Sequence, residues 1–81
     1  MDKNQALATI QNIFREVLDN PNLTISPSSS AKDVEGWDSL AHIGLVVAIE
    51  KQFGTRFALA ELQVLKNVGD MIELLERKLR R

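Results

Sequence analysis

Asp38, Ser39 and His42 bring a carboxylate, a hydroxyl and an imidazole onto one short stretch of chain. Residues three apart on a helix are neighbours, so Ser39 and His42 would meet on one face. The trio has the components of a hydrolytic triad. A working triad also needs an acid on the far ring nitrogen, an oxyanion hole and a substrate cleft. Three groups crowded onto the first turn of one helix are poorly placed to supply these. An enzyme is therefore not expected here, and His42 is read as a half-exposed surface residue. The alternative role for Asp38 is structural. Aspartate is a favoured N-cap because its carboxylate accepts a bond from a free backbone N–H, which would make Ser39 the first helical residue.

Other chemistry is scarce. The chain of 81 residues has one histidine and no cysteine, so no disulfide and no dense metal-ligand set is expected. There is no Gly-rich phosphate loop. The formal net charge is −1, which suggests neither nucleic acid nor an anionic membrane as a partner. Arg77, Lys78, Arg80 and Arg81 form a basic cluster near the end. They complement the negative end of a helix and lack the aromatic interleaving of a nucleic-acid patch. No apolar run approaches the ~20 residues of a membrane span. The first residues lack the basic and apolar regions of a signal peptide. These readings predict a cytoplasmic monomer built as a single domain over residues 1–81.

The elements that would hold the Asp38–His42 stretch are helical. Ala6, Leu7, Ile10, Ile13, Phe14, Val17 and Leu18 recur at steps of three and four, predicting an amphipathic helix from about Lys3 to Asp19. Asn20-Pro21-Asn22 is expected to end it. Residues 20–38 form a long connection, in which Ser26-Pro27-Ser28-Ser29-Ser30 reads as a solvated loop. Leu23, Ile25 and Val34 are expected to tack it onto the helices. A second helix is predicted from Ser39 to Gln52 or Phe53, stopped by Gly54. A short two-turn helix is expected over Ala58–Leu65. A last helix starts at Asn67, with Asp70 in its first turn and Val68, Met71, Ile72, Leu75 and Leu79 on its buried face. No useful strand alternation is present, so the fold class is all-α.

The second helix is too apolar for an ordinary surface helix. Leu45, Val46, Ile49 and Phe53 suffice to face a core, and Leu40, Ile43 and Val47 form a second stripe. A helix apolar nearly all round is either fully buried or presents a face to something else. A domain this small favours the second option, so the stripe is read as a partner surface. Gly44 lies within it, at a cost of ~1 kcal/mol relative to alanine. It either admits close approach of a partner or is simply tolerated.

Gly36-Trp37-Asp38-Ser39-Leu40 resembles the modification motif of acyl carrier proteins, in which Asp-Ser-Leu opens the second helix. The first helix, the long loop, Glu50-Lys51-Gln52-Phe53-Gly54, the short helix and Asn67-Val68-Gly69-Asp70 fall in the family order, so the resemblance covers nearly the whole chain. Trp37 is similar to free-standing bacterial carriers, and on its own reads as a large residue anchoring the loop. The resemblance implies a small four-helix bundle of acyl-carrier type, with three longer helices and one short one. It implies phosphopantetheine, transferred from coenzyme A onto Ser39 by a phosphopantetheinyl transferase, and acyl groups held as thioesters for acyl-transferring and acyl-modifying enzymes. Asp38, Leu40, Ile43, Gly44, Val47 and Lys51 are then the expected partner-binding residues. The attached phosphodiester would sit at the positive end of a helix, where anions are stabilised.

The sequence departs from carriers of bulk fatty acid synthesis, which resemble it but are strongly acidic along the second helix. Ala41, Gly44, Lys51 and Gln52 stand where acids are common there. Residues 31–62 hold five acids and three bases, a net of −2. The departure points to a dedicated pathway, such as polyketide, lipid-modifying or other secondary biosynthesis. An aminoacyl or peptidyl carrier and an unmodified helical interaction module are the alternative readings.

Overall fold

A computed structural model describes residues 2–58, 60–61 and 65–79. Three helices are defined among them: α1 (Lys3–Val17), α2 (Ser39–Phe53) and α3 (Val68–Leu79). α1 begins where Asp2 accepts the Asn4 N–H at 2.8 Å, satisfying one of the donors a helix start leaves free. Its end differs from expectation. Asp19 adopts a left-handed conformation, φ 53°. The Asn20 N–H donates to Arg15 C=O at 2.9 Å and the Asp19 N–H to Glu16 C=O at 3.3 Å. This is the Schellman arrangement, normally closed by glycine. The helix therefore stops on its own hydrogen bonds, before Pro21 is reached.

The buried face of α1 supplies Ala6, Ile10, Ile13 and Phe14 to a core completed by Leu45 and Ile49 of α2 and by Val68, Met71, Ile72 and Leu75 of α3. The backbone of α1 runs close to both other helices, and the backbones of α2 and α3 stay farther apart among the described residues. Side chains of α1 also bind the long connection. Arg15 Nε–H donates to Leu23 C=O at 2.7 Å, and Gln11 Oε1 accepts the Ile25 N–H at 2.9 Å. Ile25 and Val34 are buried and Leu23 is half-buried, as their scattered apolar pattern predicts.

The serine segment is more than a solvated loop. Pro27 C=O accepts the Gly69 N–H at 2.7 Å, and Ser29 C=O accepts the Val68 N–H at 2.9 Å. Ser30 bridges Asn67 in antiparallel fashion. The loop backbone thus satisfies two donors that the start of α3 would otherwise leave open. Asn67 Oδ1 accepts the Asp70 N–H at 2.8 Å, and Asp70 Oδ2 accepts the Lys66 N–H at 2.9 Å. This reciprocal pair is a capping box displaced by one residue. Of the expected short helix, Ala60 and Glu61 are helical, and residues 59 and 62–64 lie outside the described residues. Glu61 binds Lys78 of α3 at 2.7 Å. That bond, followed by the Ala58 N–H, holds the Glu61 carboxyl below the usual carboxylate range.

Two glycines mark where backbones converge. A Cβ on Gly69 would stand 2.9 Å from Pro27 C=O, inside van der Waals contact. Gly44 faces α1, where a Cβ would meet only Val17 Cγ1 at 3.4 Å. Its expected role on the outward stripe is corrected accordingly: it sits at the approach of α1 and α2. The two alanine substitutions should therefore have opposite effects in urea unfolding. Gly69→Ala forces the loop off the start of α3 and should cost about 1–3 kcal/mol, the range for overpacking. Gly44→Ala should be neutral or stabilise by up to ~1 kcal/mol, the helix-propensity difference.

Candidate functional site

The start of α2 is built from the loop side. Ser30 begins a tight turn in which Asp33 Oδ2 accepts its N–H and its hydroxyl, each at 3.1 Å. Trp37 follows, 6% exposed. Its ring lies edge-on to Phe14 of α1, with centroids 4.9 Å apart. Such a contact contributes about 0.5–1.5 kcal/mol beyond area burial. Trp37 therefore anchors the loop to the core one residue before α2.

Asp38 is the N-cap, as its type and position predict. Its Oδ1 accepts the Ala41 N–H at 2.8 Å, and its C=O accepts the His42 N–H at 2.8 Å. Ser39 is the first helical residue and is exposed. At the other end, Gly54 closes α2 in a left-handed conformation, φ 64°, which only glycine adopts without cost.

His42 is half-buried, and its bonding answers the triad question. The Trp37 Nε1–H donates to His42 Nδ1 at 3.1 Å, and the two rings lie nearly parallel, 15° apart. An imidazole that accepts at Nδ1 carries its proton on Nε2. Asp38 spends its carboxylate on the helix cap and Trp37 occupies the ring nitrogen that an orienting acid would need. The three groups are brought together, but as a cap, an exposed hydroxyl and a pinned ring. The Trp37–His42 bond spans five residues between a loop and a helix, a pairing that no local sequence signal announces.

The apolar stripe faces outward. Leu40 is 79% exposed, Ile43 62% and Val47 43%, while Leu45, Val46 and Ile49 are buried. Lys51 is exposed beyond Val47. Glu50 uses Oε2 to accept the Phe57 N–H at 2.8 Å, which ties the turn after α2 to its last residues. Among the described residues no group of three or more His, Cys, Asp or Glu could hold a metal, and no helix is long and apolar enough to cross a membrane.

Residues 8–75 match the family model described as phosphopantetheine attachment site. The chain belongs to the phosphopantetheine-attachment family. Within that family it is similar to an acyl carrier protein of Acidothermus cellulolyticus, 34% identical over 90% of this chain and 87% of the relative. An acyl carrier protein of Thermotoga maritima is 27% identical over 95% of both chains. The solution structure of a holo acyl carrier protein from Geobacter metallireducens superposes with a TM-score of 0.84 at 43% identity, covering 91% of this chain and 85% of that one. The function is that of an acyl carrier, and the cofactor is covalently attached phosphopantetheine. The residues present fit that group. The first N–H groups of α2 have no partner within the helix, and donors there favour a phosphate.

The pH dependence of this family member should run through His42. Burial holds its pKa below the ordinary histidine value, so the unfolded chain takes up the proton first. The His42 contribution to stability is then full above about pH 6.5 and is lost as pH falls through the lower folded value. Protonation also puts a hydrogen on Nδ1, where Trp37 now donates. Melting temperatures measured from about pH 7.5 down to about pH 5.5 should fall, and the slope should flatten in His42→Asn. Equal slopes in the two proteins would remove His42 from this account.

Proposed function

We propose that Ser39 Oγ is the atom to which phosphopantetheine is attached, and that the chain is a non-catalytic carrier over residues 1–81. The observation that carries this reading is an exposed hydroxyl on the first residue of a helix capped by the residue before it. Ser26, Ser28 and Ser29 are engaged with one another in a loop, and Ser30 is bonded to Asp33.

The chain's part in its own modification is to present that hydroxyl. Asp38 and His42 Nδ1 are already engaged, so the phosphopantetheinyl transferase supplies the base. An oxygen–phosphorus bond would form at Ser39 Oγ, the pyrophosphate bond of coenzyme A would break with adenosine 3′,5′-bisphosphate as the leaving group, and the hydroxyl proton would pass to the transferase. The N–H groups at the start of α2 that the Asp38 cap leaves open would favour the negative charge of the phosphodiester. When bound, the group supplies a thiol that holds acyl chains as thioesters.

Leu40, Ile43, Val47 and Lys51 form the docking face for the transferase and for acyl-handling enzymes. The face is apolar with a cationic end, which supports service in a dedicated pathway over bulk fatty acid synthesis. A short helix over 58–65 would complete a four-helix bundle, and the cytoplasm is the proposed setting.

Incubation with coenzyme A and a broad-specificity transferase should add phosphopantetheine to the peptide containing Ser39, and Ser39→Ala should abolish the adduct. An adduct on the 26–30 serines would overturn the assignment. Val47→Asp should leave the melt unchanged and lower transferase kcat/KM roughly tenfold, the equivalent of ~1.4 kcal/mol at an interface. Lys51→Glu should improve transfer by enzymes that serve acidic carriers and slow engagement with this protein's own partner, most at low salt.

A further inference from the structure

The far end of α2 carries a cleft of about 430 Å³, lined by Val47, Glu50, Lys51, Gly54, Thr55 and Arg56. Its two cations stand on a fixed frame. Lys51 follows Val47 by one helical turn and so continues the outward stripe. Arg56 lies two residues past Gly54, and Glu50 holds the chain on both sides of it. The Glu50 C=O accepts the Gly54 N–H and the Thr55 N–H, the latter at 3.1 Å. The Glu50 side chain accepts the Phe57 N–H at 2.8 Å. Both cations are exposed, and neither has a carboxylate within salt-bridge distance among the described residues. Glu50 is the acid of the cleft, and one of its oxygens is spent on that backbone bond. Lys51, in the last turn, is accounted for by the helix dipole. Arg56, on the turn beyond the helix, is not. Residues 40–60 hold two bases and one acid, in a chain whose net charge is −1.

We infer that Lys51 and Arg56 form a cation pair that receives carboxylates of the partner enzyme, so that the surface docked on this carrier is acidic where it passes the end of α2. The inference rests on the reading of α2 as the docking face. Apolar contact runs along Leu40, Ile43 and Val47, and the chain's own carboxylates leave the two cations beyond it open. An acidic partner edge pairs with them. A basic edge is set against like charge, which is unfavourable at close range and rejects the wrong enzyme. A guanidinium suits this use, because its planar fork matches a carboxylate with two hydrogen bonds. A small free anion is disfavoured at the same place. The cleft lies at the negative end of α2 and beside Glu50, and an exposed ion pair on its own contributes little. Carboxylates carried by a partner already seated on the apolar stripe are held at the cations by that contact, so pairing adds to an association already made.

The test uses the whole chain and two forms of one phosphopantetheinyl transferase. One form has a basic docking surface. The other is the same enzyme with two of those basic residues, away from its coenzyme A site, changed to glutamate. Loading of Ser39 is followed by intact mass, with Ser39→Ala as the blank. The quantity read is the ratio of kcat/KM for the acidic form over the basic form. Arg56→Glu should lower that ratio roughly threefold to fivefold at low salt, the scale of one exposed charge pair. Arg56→Lys should keep it. Added salt should shrink the difference, because exposed charges are screened. Arg56→Gln sets no new charge against Glu50, so it should lower the ratio less and leave the melt unchanged. Arg77→Glu makes the same change of net charge at an exposed position of α3 and should leave the ratio where it is. Inorganic phosphate alone, at millimolar concentration, should leave the Thr55 and Arg56 amides unmoved in nuclear magnetic resonance. If neither form loads Ser39, the attachment reading itself is overturned. If Ser39 is loaded but Arg56→Glu has the ratio of the unaltered chain, or Arg77→Glu moves it as far, the cation pair is overturned and attachment stands. Saturable phosphate shifts at residues 54–56 would make the cleft a small-anion site and overturn the partner assignment.

Discussion

The indole of Trp37 is the junction on which the site depends. One edge meets Phe14, in the last turn of α1. The N–H reaches His42, one turn into α2. The next residue is the N-cap and the one after it is Ser39. A loop of nearly twenty residues would ordinarily leave its far end poorly placed, since fixing each residue costs backbone entropy. Here the far end is locked by a buried ring that touches two helices. Ser39 can then be exposed and still have a defined position, because order is supplied from behind it.

Much of this was legible in the sequence, and the reason is locality. The α1 and α2 spans follow from three- and four-residue spacing, the N-cap from aspartate, and the stop of α2 from Gly54. The outward stripe of Leu40, Ile43 and Val47 was legible because a helix in a small domain cannot bury every face. What escaped depends on contacts distant in sequence. Pro27 and Ser29 cap a helix about forty residues away through backbone oxygens, which carry no side-chain signature. Gly69 is demanded by one of those oxygens and not by its own φ. Asp19 ends α1 in a conformation that glycine usually supplies, so the eye is drawn past it to Pro21. The histidine was correctly read as half-exposed, but its partner was not, since a loop indole and a helical imidazole share no periodicity.

The charge pattern and the helix pattern bear on the same surface. α2 carries only Glu50 and Lys51 as charged residues, and Glu50 is turned to the Phe57 amide. The outer face is therefore apolar with a single cationic end. Apolar faces gain affinity by excluding water, whereas rim charges act mainly on encounter rate and on rejection of wrong partners. A carrier with this face would select its enzymes by shape and burial more than by long-range attraction.

The central position of α1 has a consequence for how the molecule breathes. It is the helix whose backbone runs close to both others, while the backbones of α2 and α3 stay farther apart among the described residues. Opening events that swing α2 away from α3 disturb the core that all three helices share, and any event that exposes α1 disturbs both neighbours at close range. Amide exchange should therefore be slowest around Ile10, Ile13 and Phe14. The segment that carries the apolar centre of α1 acts as a spine against which the carrier helix and the closing helix are both laid.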